Sequence, residues 1–163
     1  MKKLYLKRDA SQVHSRFLVF DDLGREKFVI TGRRMHSSDK MVISDLCGNP
    51  LVHIRVAPFH VFYAFSVRVS TERFTMVAST NAGKADFRFH GISWLLSRSS
   101  DLRSFEIFDA DGSLVMSQSA DSYLTNGSYT LEIYSELREL FCIAAAVCAD
   151  VINYADNSVK ATT

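Results

Sequence analysis

The sequence has few of the residues whose abundance would indicate a particular class of protein. It has three cysteines in 163 residues, two prolines, seven glycines and a formal net charge of only +1. Three cysteines cannot build the disulfide framework of a small secreted domain, and a balanced charge gives no global field that attracts nucleic acid. The basic N-terminal stretch also lacks the apolar core of a secretory signal. We therefore expect a cytoplasmic protein without a nucleic-acid partner.

Long hydrophobic runs are also missing, since a membrane-spanning helix needs roughly 20 apolar residues. The longest apolar run, residues 140–149, is shorter than that and is bounded by Arg138, Glu139 and Asp150. It is rich in Ala, Leu, Cys and Phe and has no Gly or Pro, which favours a helix. A helix that is apolar on all sides must be surrounded by protein. We predict no transmembrane span and a helix at about 135–153 that is buried inside its own domain.

Most of the chain before this helix has the alternation of β-strands. Three pairs of strand-like segments are joined by Asp-x-x-Gly, beginning at Asp21, Asp45 and Asp109. Asp can cap a turn with its side chain and Gly supplies a positive φ, so each pair is predicted to be a hairpin with a bulge. The alternation is clearest at 60–70, where every odd position is apolar.

These patterns predict a mainly β (α+β) fold, in which a closed antiparallel barrel of about twelve strands encloses the C-terminal helix. Closure removes exposed strand edges, which is why a barrel is preferred over an open sheet. We expect one domain at 1–163, with a short edge strand at 3–7, a strand at 92–96 and a frayed polar tail at 155–163.

Catalytic and metal-binding patterns are absent from the sequence. It has no nucleophile elbow, no phosphate-binding glycine loop and no dinucleotide fingerprint. The five histidines lack metal-ligand spacing: His14, His36, His53, His60 and His90. Three of them alternate with apolar neighbours and are expected on the outer face of the barrel, namely His53, His60 and His90. We therefore expect no enzyme activity, no metal and no cofactor. An enzyme or carrier with a site assembled from distant residues stays open.

Two places carry candidate polar sites. The segment 33–40 has the densest local positive charge, and Arg33, Arg34 and Lys40 are predicted to bind an anion or a lipid headgroup through charge-assisted contacts. Asp150 is the one acid within the predicted helix beyond its apolar run. A buried carboxylate must be paired or protonated, so Asp150 is predicted to be a structural residue, either paired with an arginine on a strand or placed where the helix meets water. A functional polar site inside the barrel mouth stays open as the alternative.

The three Asp-x-x-Gly hairpins, the segments 87–94 and 105–112, and the strand at 129–133 leading into the apolar helix together resemble the LURP-one-related family. Their order and spacing carry the resemblance over roughly residues 14–154. That family shares the Tubby C-terminal-like fold with Tubby domains and phospholipid scramblases. The resemblance implies a closed barrel of about twelve strands threaded by the C-terminal helix.

The same resemblance implies a binding or scaffold domain. Tubby domains bind phosphoinositide headgroups and scramblases act at membranes, whereas most LURP-one-related members have no known activity. We therefore expect a non-enzymatic domain that binds an anionic phospholipid or a protein partner, and that is peripheral to the membrane if its ligand is a lipid. A scramblase-like membrane-associated protein is the remaining alternative.

Overall fold

The computed structural model describes residues 1–9, 16–32, 40–58, 62–81, 84–97, 103–120 and 128–161. They form twelve strands and one long helix that follows a short 3-10 turn. The strands, in chain order, are β1 (Lys2–Asp9), β2 (Arg16–Asp21), β3 (Glu26–Gly32), β4 (Lys40–Ser44), β5 (Pro50–Pro58), β6 (Phe62–Val69), β7 (Glu72–Asn81), β8 (Lys84–His90), β9 (Leu95–Leu96), β10 (Phe105–Phe108), β11 (Leu114–Ala120) and β12 (Ser128–Ile133). The 3-10 turn covers Glu136–Arg138 and the helix, α1, covers Glu139–Ala161.

All twelve strands belong to one antiparallel sheet in the order β8-β7-β6-β5-β4-β3-β2-β1-β12-β11-β10-β9. The end strands β8 and β9 come into contact, so the sheet curls into a nearly closed barrel. The predicted fold class, a mainly β barrel around one helix, is confirmed. The first strand is not the expected edge strand, because β1 pairs with β2 on one side and with β12 on the other.

Helix α1 runs through the barrel and supplies the centre of its core. Every residue from Phe141 to Ile152 is buried, and the helix packs against β5, β6, β7 and β12. The inward side chains of the strands surround it, with Phe65, Ile54 and Leu131 fully buried. An all-apolar helix is stable here because each of its faces meets a different part of the barrel wall.

The boundaries of two elements differ from the sequence prediction. The helix does not end near Asn153 but continues to Ala161, so residues 155–161, expected as part of a frayed tail, are helical. That stretch has no Gly or Pro to end the helix, and apolar content alone marked its predicted end too early. The strand expected at 92–96 is limited to Leu95–Leu96, because Gly91 takes φ +86° and a bend separates it from β8.

The predicted Asp-x-x-Gly hairpins form as expected. In the β2–β3 turn one carboxylate oxygen of Asp21 accepts hydrogen bonds from the backbone N–H groups of Leu23 and Arg25, both at 2.9 Å. Gly24 has φ +75° and donates its N–H to the carbonyl of Asp21 at 3.0 Å. A register shift next to each of the three turns shows the expected bulge. These hairpins bring alternate strand ends together at one end of the barrel.

Candidate functional site

A concave basic surface lies on the outer wall of the barrel across strands β4 to β7. We call it the basic groove; it encloses about 480 Å³. Among the described residues, its lining consists of one aliphatic residue and six exposed polar or charged residues from these strands: Ile54, Lys40, His53, Arg55, Ser66, Arg68 and Arg73.

The strand register arranges these side chains in two rows. In the first, Lys40 on β4 is opposite Arg55 on β5, which in turn is opposite Ser66 on β6. Directly opposite residues of an antiparallel pair have Cβ atoms about 4.5–5.5 Å apart, so Lys40 and Arg55 are immediate neighbours. The row therefore places a lysine, an arginine and a hydroxyl next to one another.

The second row lies two residues along the same strands. His53 on β5 is opposite Arg68 on β6, and Arg68 is opposite Arg73 on β7. Both rows lie on the outer face, because positions alternate along a strand and the intervening Val67 is fully buried. Two arginines and a histidine thus stand beside the Lys40 row.

Like charges directly opposite each other destabilise a sheet, so this arrangement has a cost unless an anion offsets it. No salt bridge among the described residues engages Lys40, Arg55, Arg68 or Arg73. The nearby acid Glu72 is paired with Arg138 at 2.8 Å. The groove can therefore offer several unneutralised N–H donors to one anionic group.

The structure describes only one of the three predicted anion-binding residues. Arg33 and Arg34 lie outside the described residues, so their participation stays a prediction. Lys40 begins β4 and lines the basic groove.

The groove's other cations were missed in the sequence because they are separated along the chain and only the cross-strand register joins them. The signal that could have found them is the set of cations at outward positions of successive strands, such as Arg55 and Arg68.

Asp150, the second candidate, lies in the barrel interior with 2% of its surface exposed. Its two carboxylate oxygens accept hydrogen bonds from one nitrogen of Arg8 on β1, at 3.0 and 2.9 Å. The hydroxyl of Tyr129 on β12 donates to the same carboxylate at 2.7 Å. Burial and the adjacent Asp150 charge raise the pKa of Tyr129, which keeps its hydroxyl a donor. Asp150 thus joins α1 to two neighbouring strands.

The buried thiols offer no nucleophile. Cys142 and Cys148 are buried in α1, and burial raises the pKa of Cys142 to about 12 and that of Cys148 still further. Thiolate is the reactive form, so both behave as small apolar side chains. Cys47 is exposed at a hairpin turn. Within the described part of the chain, no cluster of three or more His, Cys, Asp or Glu side chains could hold a metal ion.

Helix α1 does not provide a membrane span. In the portion of the chain that the structure describes, no helix combines the length and the apolar character needed to cross a bilayer.

Comparison with known proteins agrees with the architecture. The chain is 25% identical over 158 residues to the uncharacterized protein YxjI of Bacillus subtilis (strain 168), with 96% of each sequence covered. Its fold is similar to an X-ray structure of a protein from Arabidopsis thaliana, with a TM-score of 0.57, 16% identity, and coverage of 93% of this chain and 91% of the other. The family model described as LURP-one-related matches residues 2–150. The chain therefore belongs to the LURP-one-related family, as the sequence motifs predicted.

Proposed function

We propose that this protein is a non-enzymatic binding module whose basic groove binds a multiply charged anionic group. The observation that carries the proposal is the pairing of Lys40 with Arg55 and of Arg68 with Arg73 on adjacent strands, with no acidic partner for these cations among the described residues. Phosphate esters fit this chemistry, since guanidinium groups form bidentate, charge-assisted hydrogen bonds with phosphate oxygens. Both a phosphorylated lipid headgroup and a soluble polyphosphate offer that group.

The two alternative functions have less support in the structure. An enzyme or a carrier that uses the barrel lumen needs a cavity there, and the described interior is filled by α1 and the inward side chains around it. A scramblase-like role for the helix would require Phe141–Ile152 to leave that core and to expose a completely apolar surface. The outer wall is therefore the better place for a binding function.

The test is a titration with two probes at about 0.05 and 0.3 M salt: inositol hexakisphosphate, and vesicles that contain phosphatidylinositol bisphosphate in phosphatidylcholine. The wild-type protein is expected to bind at least one of them, with weaker binding at the higher salt because screening shortens the Debye length. The variant Arg55→Gln/Arg68→Gln should bind about tenfold or more weakly, since each lost charged hydrogen bond contributes roughly 1.5–3 kcal/mol.

The matched control is Arg88→Gln. Arg88 is an exposed arginine on β8 that faces Asp86 at 3.5 Å and does not line the groove. It should leave binding unchanged. Binding to vesicles but not to the soluble polyphosphate would identify a lipid ligand, and the reverse would identify a soluble one. If the wild-type protein ignores both probes at low salt, or if Arg88→Gln weakens binding as much as the double variant, the proposal is wrong.

A further inference from the structure

A second unusual feature borders the basic groove on the same outer wall. The outward positions of strands β1 to β4 should be polar in a barrel whose outer face is wet. Five of them carry large apolar side chains instead, which we call the apolar strip: Tyr5, Leu18, Phe20, Val29 and Val42.

The strip faces outward, because each member alternates with a buried residue. Tyr5 lies between Leu4 and Leu6, which are 0% and 1% exposed, and Leu18 lies between the buried Phe17 and Val19. All five strip residues are partly exposed. None of them belongs to the group of partly buried apolar side chains that pack against the hydrophobic core. Each strip residue thus remains partly exposed on the outer wall.

Cross-strand register makes the strip continuous. Tyr5 is directly opposite Phe20, and Leu18 is directly opposite Val29. Val42 is opposite Thr31, two residues along β3 from Val29, within reach of a diagonal contact. The apolar surface therefore crosses four adjacent strands.

Cations border the strip on both sides. At one side the ammonium group of Lys7 lies 5.2 Å from the centre of the Phe20 ring. At the other side Val42 is opposite His53, and Lys40, two residues away on the same strand, begins the basic groove. Strip and groove meet on β4 and form one surface that is apolar at one part and cationic at the other. Its complement is a ligand with apolar groups next to several negative charges.

Curvature decides which kind of ligand fits. In a nearly closed barrel of twelve strands the outer surface turns by about 30° from one strand to the next. The strip on β1–β4 and the groove on β4–β7 together turn through about 180°, so a planar bilayer cannot contact both. An extended peptide can follow the curve. Six strand spacings of about 4.8 Å give about 29 Å, which about nine extended residues cover.

We infer that the apolar strip and the basic groove together bind an extended segment of a partner protein, with apolar side chains on the strip and acidic or phosphorylated side chains in the groove. This inference rests on the proposed function for the groove and adds the strip and the class of partner. The apolar contacts and the charged hydrogen bonds both contribute binding energy, and the charges also set the orientation of the segment.

The experiment is a selection of displayed random dodecapeptides on the wild-type protein, followed by affinity measurements with the enriched peptides. Enriched sequences should contain an apolar block next to an acidic block. Their affinity should fall about tenfold or more both for Leu18→Thr/Val29→Thr and for Arg55→Gln/Arg68→Gln. Threonine keeps the β-propensity of the strip strands, and a thermal melt should show the fold intact.

Val77→Thr is the matched control, since Val77 is an outward, partly exposed position of β7 outside the strip. It should leave peptide affinity unchanged. The inference is overturned if no peptide is enriched, if the enriched peptides are basic, or if the strip variant binds them as well as the wild type does. A strip variant that loses acidic-vesicle binding while no peptide is enriched would assign the surface to membranes. Retained binding of inositol hexakisphosphate would then leave the proposed function standing.

Discussion

At the scale of single residues, the β4–β5 turn is stabilised by an aspartate side chain and by the backbone conformation of a glycine. One oxygen of Asp45 accepts hydrogen bonds from the backbone N–H groups of Cys47 and Asn49, both at 2.9 Å. The Asn49 side chain and these backbone groups hold the pKa of the Asp45 carboxyl below its usual range. Gly48 closes the turn with φ +85°. The spacing Asp-x-x-Gly therefore specifies the turn through contacts within the turn itself, without contacts from the rest of the barrel.

We predict that Gly48→Val destabilises the protein by about 1–3 kcal/mol, because a β-branched residue resists a positive φ. No atom lies within 4 Å of an added Cβ at this position, so the cost is one of backbone strain and not of collision. Urea unfolding would measure the change as a shift in midpoint at constant slope. Gly48→Asn is the control and should cost clearly less, since Asn tolerates the left-handed region. Equal losses for Val and Asn would contradict this explanation.

At the scale of elements, acidic side chains hold helix α1 to the wall both at its start and near the end of its buried segment. Its first residue, Glu139, accepts hydrogen bonds from Lys2 on β1 and from Lys27 on β3, the latter at 2.9 Å. Further along, Asp150 is paired with Arg8, also on β1. Strand β1 thus contacts helix α1 at both places, although the two elements are at opposite ends of the sequence. These pairs link the two ends of the buried segment of α1 to β1 and β3.

The Glu139 cluster makes stability depend on pH. Burial alone would raise the pKa of Glu139, but the hydrogen bonds from Lys2 and Lys27 outweigh it and hold that pKa below the unfolded value of 4.5. A carboxyl with a lowered folded pKa stabilises the protein above its unfolded pKa, and this contribution is lost as the pH falls through the folded pKa.

We therefore predict that Glu139→Gln lowers the free energy of unfolding at pH 7 by about 1 kcal/mol, and that this difference shrinks as the pH falls below about 4. Chemical denaturation across this pH range would measure it. Glu106→Gln, at an exposed position of β10 outside the cluster, is the control. A deficit of Glu139→Gln that stays constant down to pH 2 would show that the charge of Glu139 is not its source.

At the scale of the whole molecule, the barrel and the helix form one core. The wall cannot close over an empty centre, and the helix cannot expose an apolar surface on every side. Strands β1 and β12, which are nearly the whole chain apart, must pair to complete the wall around it. Folding is therefore expected to be cooperative, with barrel and helix unfolding together.

We predict that Ala145→Asp prevents folding, because Ala145 is fully buried and an unpaired charge there costs several kcal/mol. The readout is the soluble yield together with a thermal melt. Leu137→Asp is the matched control: Leu137 stands just before the helix with 97% of its surface exposed, and the same new charge should be tolerated there. A soluble Ala145→Asp variant with a near-normal melt would show that α1 does not fill the barrel.

The sequence by itself determined the elements, because their signals are local. Asp and Gly fix each tight turn, alternation marks the strands, and the apolar run of α1 requires an enclosing wall, so barrel and family could be predicted. The length of α1 escaped prediction, since residues past Asn153 are polar yet contain no helix-breaking residue. Only the tertiary structure decided what meets across strands. The pairing of Arg8 with Asp150 joins a strand and a helix from opposite ends of the chain. The rows of the basic groove and the apolar strip depend on strand register, which turns and core packing set together and which the alternation within one strand does not specify.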